Sequence, residues 1–289
     1  MKFGSVSNPE LVDFSLPDDH LGTRQVLGNQ TLGLSQVCIG CAKWNKKDLM
    51  GFYPKGIKDE LEYYASQFNS IELNATFYNR YSEQQIHNWR ERTPPSFKFF
   101  PKVHRYISHI KRLNDVESSI NEFCTEMRVF GDQLGCVFLQ LHDNFAPKNF
   151  GRLQHTISLW PKDIPLAVEL RHTDWFNEKV VAEEIYGLFE EHRVANIITD
   201  SAGRRDLLHM RMTNKTAFIR YVGSNHESDY PRLEDWIDRI KLWKSFGLEN
   251  LYFFIHQNLE KESPLLSEKF IDSLNFNIGL NIKIPKGKK

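Results

Sequence analysis

From Gly33 onward, short apolar runs and helical stretches take turns along the chain, and that alternation restricts the fold more than any single motif does. The strand-like runs fall at 34–42, 69–74, 97–102, 136–141, 166–171, 194–200, 217–221 and 251–258. Stretches with apolar residues three and four apart follow most of them, at 57–68, 82–90, 116–130, 149–160, 177–191, 232–246 and 265–274. Ser82 with Glu83 behind it reads as a helix cap, and Pro94-Pro95 as a stop. A short irregular segment follows the sixth run. Helical crossovers are what parallel strands require. Eight strands in this pattern predict an α/β fold, a single TIM-type (β/α)8 barrel; a doubly wound open sheet is the alternative. Residues 1–33 read as an N-terminal extension, 34–276 as the barrel domain and 277–289 as a solvated C-terminal tail containing Lys286, Lys288 and Lys289.

A chain of 289 residues that is 40% hydrophobic can bury a large core. Its formal net charge is zero, so no global field draws it to nucleic acid or to an acidic membrane. Four cysteines in a chain this long suggest no disulfide framework. No apolar run approaches the roughly 20 residues that span a bilayer. The first residues, with Pro9, Asp13, Pro17, Asp18 and Asp19, lack the apolar core of a signal peptide. The expected setting is cytoplasmic, with no membrane partner. Oligomeric state is not legible.

Within this frame the stretch 166–175, Leu-Ala-Val-Glu-Leu-Arg-His-Thr-Asp-Trp, breaks the rule for a buried strand. Glu169 and Arg171 sit two apart and project to one face with Ala167, while Val168 and Leu170 take the other. Charges placed there need partners. The same two-residue period finds them near the carboxyl ends of the other strands. Glu72 and Asn74 come from the second, Lys102 from the third in phase with Phe100, and Gln140 from the fourth in phase with Phe138. Asp200 comes from the sixth in phase with Ile198, Arg220 from the seventh in phase with Phe218, and His256 and Asn258 from the eighth in phase with Phe254. Trp44, Tyr78 and Trp175 lie just past strand ends, and His109 lies in the loop after the third. In a parallel barrel, chemistry gathers at those ends.

The residue types narrow the chemistry. Three cations (Lys102, Arg171, Arg220) face three carboxylates (Glu72, Glu169, Asp200), which could form a purely structural ion-pair network. The added amides and aromatics favour a pocket that orients a ligand. Two arginines and a lysine suit a small anionic or polyhydroxylated ligand. Glu169 beside Lys102 suits acid–base work, with Glu72 and Asp200 as further catalytic candidates. Arg171, Arg220, Asn74, Gln140, Asn258, His109 and His256 would bind the ligand, walled by Trp44, Tyr78 and Trp175. A divalent metal is possible but not favoured, because cations crowd the carboxylates; otherwise the cofactor is unknown. The alternative is nucleic-acid binding or phosphodiester cleavage, with cations on phosphates and Trp44 or Tyr78 stacking a base; zero net charge speaks against it. A ligand-binding barrel without catalysis is a third reading. The pair Cys38 and Cys41 has redox spacing but sits on a strand, where an offset of three sends the thiols to opposite faces.

These motifs, taken in order, resemble the domain-of-unknown-function-72 (YecE-like) family. The residues that carry the likeness are Ile39 to Trp44, Gly51 to Pro54, Ile71 to Tyr78, Phe97 to Lys102 with Ser108-His109, Phe138 to Gln140, Val168 to His172 with Trp175, Asp200, Tyr252 to Phe254 and Asn258. The likeness covers roughly 34–275 and implies a TIM-type barrel. It carries no catalytic assignment. The chain departs from the family pattern twice. His142-Asp143 stands where a proline pair is usual, and Arg220-Tyr221-Val222-Gly223 replaces Arg-Leu-His-Gly. No mechanism requiring a histidine at 222 transfers.

Overall fold

The computed structural model describes residues 4–28 and 33–286, so the two ends of the N-terminal extension and the last lysines, Lys288 and Lys289, lie outside the described residues. The chain has an α/β fold built on parallel sheets. Its strands are β1 (Gln36–Cys41), β2 (Ser70–Leu73), β3 (Lys98–Pro101), β4 (Val137–Gln140), β5 (Leu166–Glu169), β6 (Ala195–Asn196), β7 (Ile198–Ser201), β8 (Thr216–Gly223) and β9 (Asn250–Gln257). One sheet has the order β1-β9-β8-β7, a second pairs β2 with β3, and a third has the order β4-β5-β6. The sixth expected strand is therefore split at Ile197, whose N–H still bonds to the Val168 carbonyl at 2.9 Å.

Local chemistry sets the element ends. The helix expected from 57 begins at Glu60 and runs to Gln67, because Asp59 caps it, its carboxylate accepting the Glu62 N–H at 2.9 Å. Ser82 caps Glu83–Glu91 in the same way. Gly247, at φ 115°, lets the helix Asp229–Phe246 end in a left-handed turn that an L side chain would strain. The last helix, Ser263–Ile278, outruns the expected end at 274, and beyond it Ile282 and Ile284 pack on the core.

The sheets meet without continuous ladders. Bridges Phe99 to Leu134 and Lys102 to Phe138 tie β3 to the segment of β4. Among the described residues β1 and β2 share no ladder; side chains join them. The Asn69 amide accepts the Ile39 N–H at 2.9 Å and donates to the Val37 carbonyl at 2.7 Å. The Tyr64 hydroxyl accepts from Cys41 N–H at 2.8 Å and donates to the Ser70 carbonyl at 3.0 Å. Gly40 permits this approach, since a Cβ there would stand 2.2 Å from the Ser70 carbonyl oxygen.

Two large apolar clusters lie between strands and helices. A third draws Cys38, Phe100, Phe138, Ala167, Ile197, Phe218 and Phe254 from all three sheets. Those residues mark the inner face, and each polar residue two positions further along its strand continues it. Residues of the N-terminal segment lie against the outer side of β7 and the helix Asp229–Phe246. The Arg232 guanidinium lies 4.2 Å from the centre of the Phe14 ring, and Asp19 accepts from Trp243 Nε1 at 2.8 Å. No helix among the described residues is long and apolar enough to cross a membrane.

Candidate functional site

The inner polar residues form one connected network at the strands' carboxyl ends. Arg220 on β8 is its hub. Its Nε and Nη2 each donate at 2.8 Å to the Glu72 carboxylate, and its Nη1 donates at 2.6 Å to Glu169 Oε2. Glu169 also accepts from Arg171 Nε at 2.6 Å and from Gln140 Nε2 at 2.8 Å. Glu72 also accepts from Asn74 Nδ2 at 2.7 Å, and His256 Nε2 lies 2.9 Å from it. Lys102 Nζ donates to Gln140 Oε1 at 2.7 Å, with the Phe77 ring centre 4.3 Å away. Gln140 can turn only one way here: its NH2 faces a carboxylate, so its oxygen faces the amine.

Burial and charge then act against each other. Burial alone would raise the Glu72 carboxyl, but the charges and hydrogen bonds of Arg220 and His256 hold it well below the usual carboxylate range. Burial opposes ionisation of Glu169 too; Arg171 and Arg220 outweigh it and hold that carboxyl low. A carboxylate so stabilised accepts protons poorly. Lys102 goes the other way. Burial first, and then the Arg220 and Arg171 charges, bring its ammonium down to about 7 against the partial support of Glu169 and Glu72. His109 is pushed down to about 4 by burial and by the charges of Lys102, His142 and Arg171.

Over this network opens a cleft of about 600 Å³. Lys102, Arg171, Arg220, Gln140, Asn74, Tyr78, His256 and Asn258 line it. Glu72 and Glu169, both 0% exposed, stand behind the arginines and are absent from the lining. The inner wall therefore presents Lys102, Arg171 and Arg220 while the carboxylates hydrogen-bonded to the arginines stay hidden; Asp48 and Glu260 lie further out, beside Lys43 and His256. Ala42, Lys43, Lys47, Asp48, Met50, Val222, Gln257, Leu259, Glu260 and Lys261 complete the lining; most of them sit in aperiodic loops after β1 and β9, where no sequence pattern points to them. Asp143, the second residue of the His142-Asp143 departure, comes within 3.8 Å of Arg171 Nη1.

Four expected residues lie elsewhere. Asp200 faces the helix layer, accepting from Trp236 Nε1 at 2.7 Å and Arg232 Nη2 at 2.8 Å. Its neighbour Thr199 stands opposite Arg220 in the sheet register. Trp175 is fully buried and donates to the Phe145 carbonyl at 2.6 Å. Trp44 packs edge-on against Trp89 at 5.8 Å. His109 stacks edge-on with Phe77 at 4.8 Å and His142 at 5.5 Å, behind the lining. Cys38 joins the inner cluster and Cys41 an outer one, both buried thiols. Among the described residues no group of three or more His, Cys, Asp or Glu side chains is placed to hold a metal ion.

Comparison with known proteins gives a consistent answer. The family model described as "Protein of unknown function DUF72" matches residues 38–288. The UPF0759 protein YecE of Escherichia coli K12 is 26% identical over 252 residues, covering 80% of this chain and 89% of that one. The UPF0759 protein YunF of Bacillus subtilis is 24% identical over 251 residues, covering 80% and 83%. Among solved structures, a DUF72 family protein from Thermotoga maritima has a TM-score of 0.69 at 24% identity, covering 83% of this chain and 99% of its own. One from Enterococcus faecalis has a TM-score of 0.68 at 17% identity, covering 87% and 100%.

Proposed function

This chain belongs to the DUF72 family, and on that premise we propose that its strands close into one TIM-type barrel whose carboxyl-end cleft binds and transforms a small anionic metabolite. Closure is supported by the inner cluster, to which all three sheets contribute, and by the side-chain join between β1 and β2. Residues 34–276 would form that barrel, preceded by the extension 1–33, whose described residues 4–28 would lie over its outside, and followed by the tail 277–289.

The observation that carries the functional reading is the asymmetry of the cleft wall. Lys102, Arg171 and Arg220 line its inner wall, while Glu72 and Glu169, the carboxylates hydrogen-bonded to the arginines, are fully buried behind, and the lining's own carboxylates, Asp48 and Glu260, lie beside Lys43 and His256. A carboxylate or phosphate entering the cleft gains preorganised donors without meeting Glu72 or Glu169. Arg171 and Arg220 hold the anion; Asn74, Gln140, His256 and Asn258 orient the rest, with Tyr78 at the rim. The volume suits a metabolite rather than a bare ion. Lys102, with an amine near neutrality, is the group fitted to move a proton. Glu169 and Glu72, held ionised, serve to fix the arginines.

A thermal-shift screen of phosphorylated and carboxylated metabolites tests this reading. Anions should raise the melting temperature, and their neutral analogues should not. Arg171→Met should abolish the effect. If neutral sugars stabilise the fold as well as anions do, the reading fails.

A further inference from the structure

We propose that Lys102 is a nucleophilic amine, and that the cleft takes an anionic aldehyde or ketone which condenses with Nζ to form an imine. This rests on the anion-site reading above and names its substrate class.

The first support is the way the network distributes its charges. Every carboxylate oxygen of Glu72 and Glu169 is engaged by other groups: Arg220, Asn74 and His256 for Glu72, and Arg171, Arg220 and Gln140 for Glu169. Lys102 is left with an amide oxygen, that of Gln140. An amide oxygen carries no formal charge and can accept from NH2 as well as from NH3+, so it positions Nζ without the ionic hold of a carboxylate. Lys102 is 3% exposed, with the rings of Phe77 and Phe138 centred 4.3 and 5.9 Å from its amine, so little water reaches the side chain. Two guanidiniums nearby disfavour a third positive charge. A desolvated lysine beside other cations is the usual setting of an amine that attacks carbonyls.

The second support is position. Lys102 lines the same cleft as Arg171 and Arg220, so a substrate anchored there through its anionic group holds its carbonyl carbon within the amine's reach. The free amine adds to that carbon, the carbonyl oxygen gains a proton, and the carbinolamine loses water. In sum, the lysine ammonium and the carbonyl compound give a protonated imine and one water, with no oxidant or reductant. The imine's positive charge then acidifies the carbon–hydrogen bond next to it. An ammonium that loses its proton near pH 7 supplies free amine under mild conditions.

The test is reductive trapping on the full chain at pH 7, with pyruvate and pyridoxal 5′-phosphate as anionic carbonyl probes and acetone as the neutral one. Borohydride fixes any imine as a secondary amine, and peptide mapping locates it. Lys102 should be labelled at least about tenfold faster than rim lysines such as Lys43 and Lys47, reflecting its larger free-amine fraction. Acetone, which has no anionic group for Arg171 and Arg220 to anchor, should show a weaker preference, and sulfate should protect Lys102 in the unaltered protein. Lys102→Arg should lose the adduct. Labelling confined to surface lysines with both anionic probes overturns the imine. If sulfate still stabilises the fold in that case, the anion site stands; if it does not, both readings fall.

Discussion

Replacing Arg220 with methionine would show how much of the fold hangs on the hub of the site. The substitution removes three hydrogen bonds to carboxylates that are 0% exposed. Glu72 would keep Asn74 and His256, and Glu169 would keep Arg171 and Gln140. Breaking a buried pair by deleting one partner costs roughly 3–5 kcal/mol, because a charge is left uncompensated. Unfolding entropy of roughly 2.1 cal/mol/K per residue gives about 0.6 kcal/mol/K for this length, so the melting temperature should fall by about 5–8 °C at pH 7.5. The pH dependence tells this mechanism from lost packing. In the parent, both folded carboxyls lie below their unfolded values, so their stabilisation is present above the ordinary carboxylate range and disappears only well below it. In the variant, burial meets less opposition and both folded values rise. The gap to the parent therefore narrows as the pH falls. Urea denaturation at pH 7.5 and 5 measures both stabilities. A loss below about 1 kcal/mol, the worth of an exposed pair, or an equal loss at both pH values, refutes the argument.

Three further outcomes follow from the same geometry. Lys102 has a folded value of about 7, below its unfolded one, so the parent loses stability as the pH falls from about 10 to 7. Lys102→Met should escape that loss, gaining on the parent by up to about 1.4 kcal/mol per pH unit, and parallel urea midpoints at pH 7, 8 and 9 would contradict this. Sulfate affinity, followed by calorimetry, should weaken between pH 6 and 8 as Lys102 loses its proton, and Lys102→Met should flatten that profile; an unchanged slope in the variant would place the titrating group elsewhere. Asp200→Asn should cost about 3 kcal/mol by stranding Arg232, which retains Asp229, yet leave sulfate affinity unchanged. A fall in affinity would tie Asp200 to the cleft after all.

The period-two rule made much of the site legible because most inner residues follow an aromatic or small anchor. Lys102 follows Phe100, Gln140 follows Phe138, Glu169 follows Ala167, Arg220 follows Phe218 and His256 follows Phe254. The rule failed to place Asp200 because Ile197 and Ile198 are both apolar, so either face could be the inner one. The partner that settles it, Arg232, comes from a helix more than thirty residues on. Trp175 follows a strand end as a pocket wall would, but its indole N–H has a backbone carbonyl thirty residues back to satisfy, and that draws the ring inside. Alternation of runs announced parallel strands. It could not reveal that Asn69 and Tyr64 would substitute for a ladder, since nothing local distinguishes them from ordinary polar and core residues.

That substitution gives one joint of the molecule a different tolerance to change. Where β8 meets β9, backbone groups do the holding and the residues may drift so long as they fit the pleat. Between β1 and β2 the joint is written in three particular side-chain identities: an amide at 69, a phenol at 64 and nothing at all at 40. A single nucleotide change can therefore unfasten this edge in a way it cannot unfasten its neighbours.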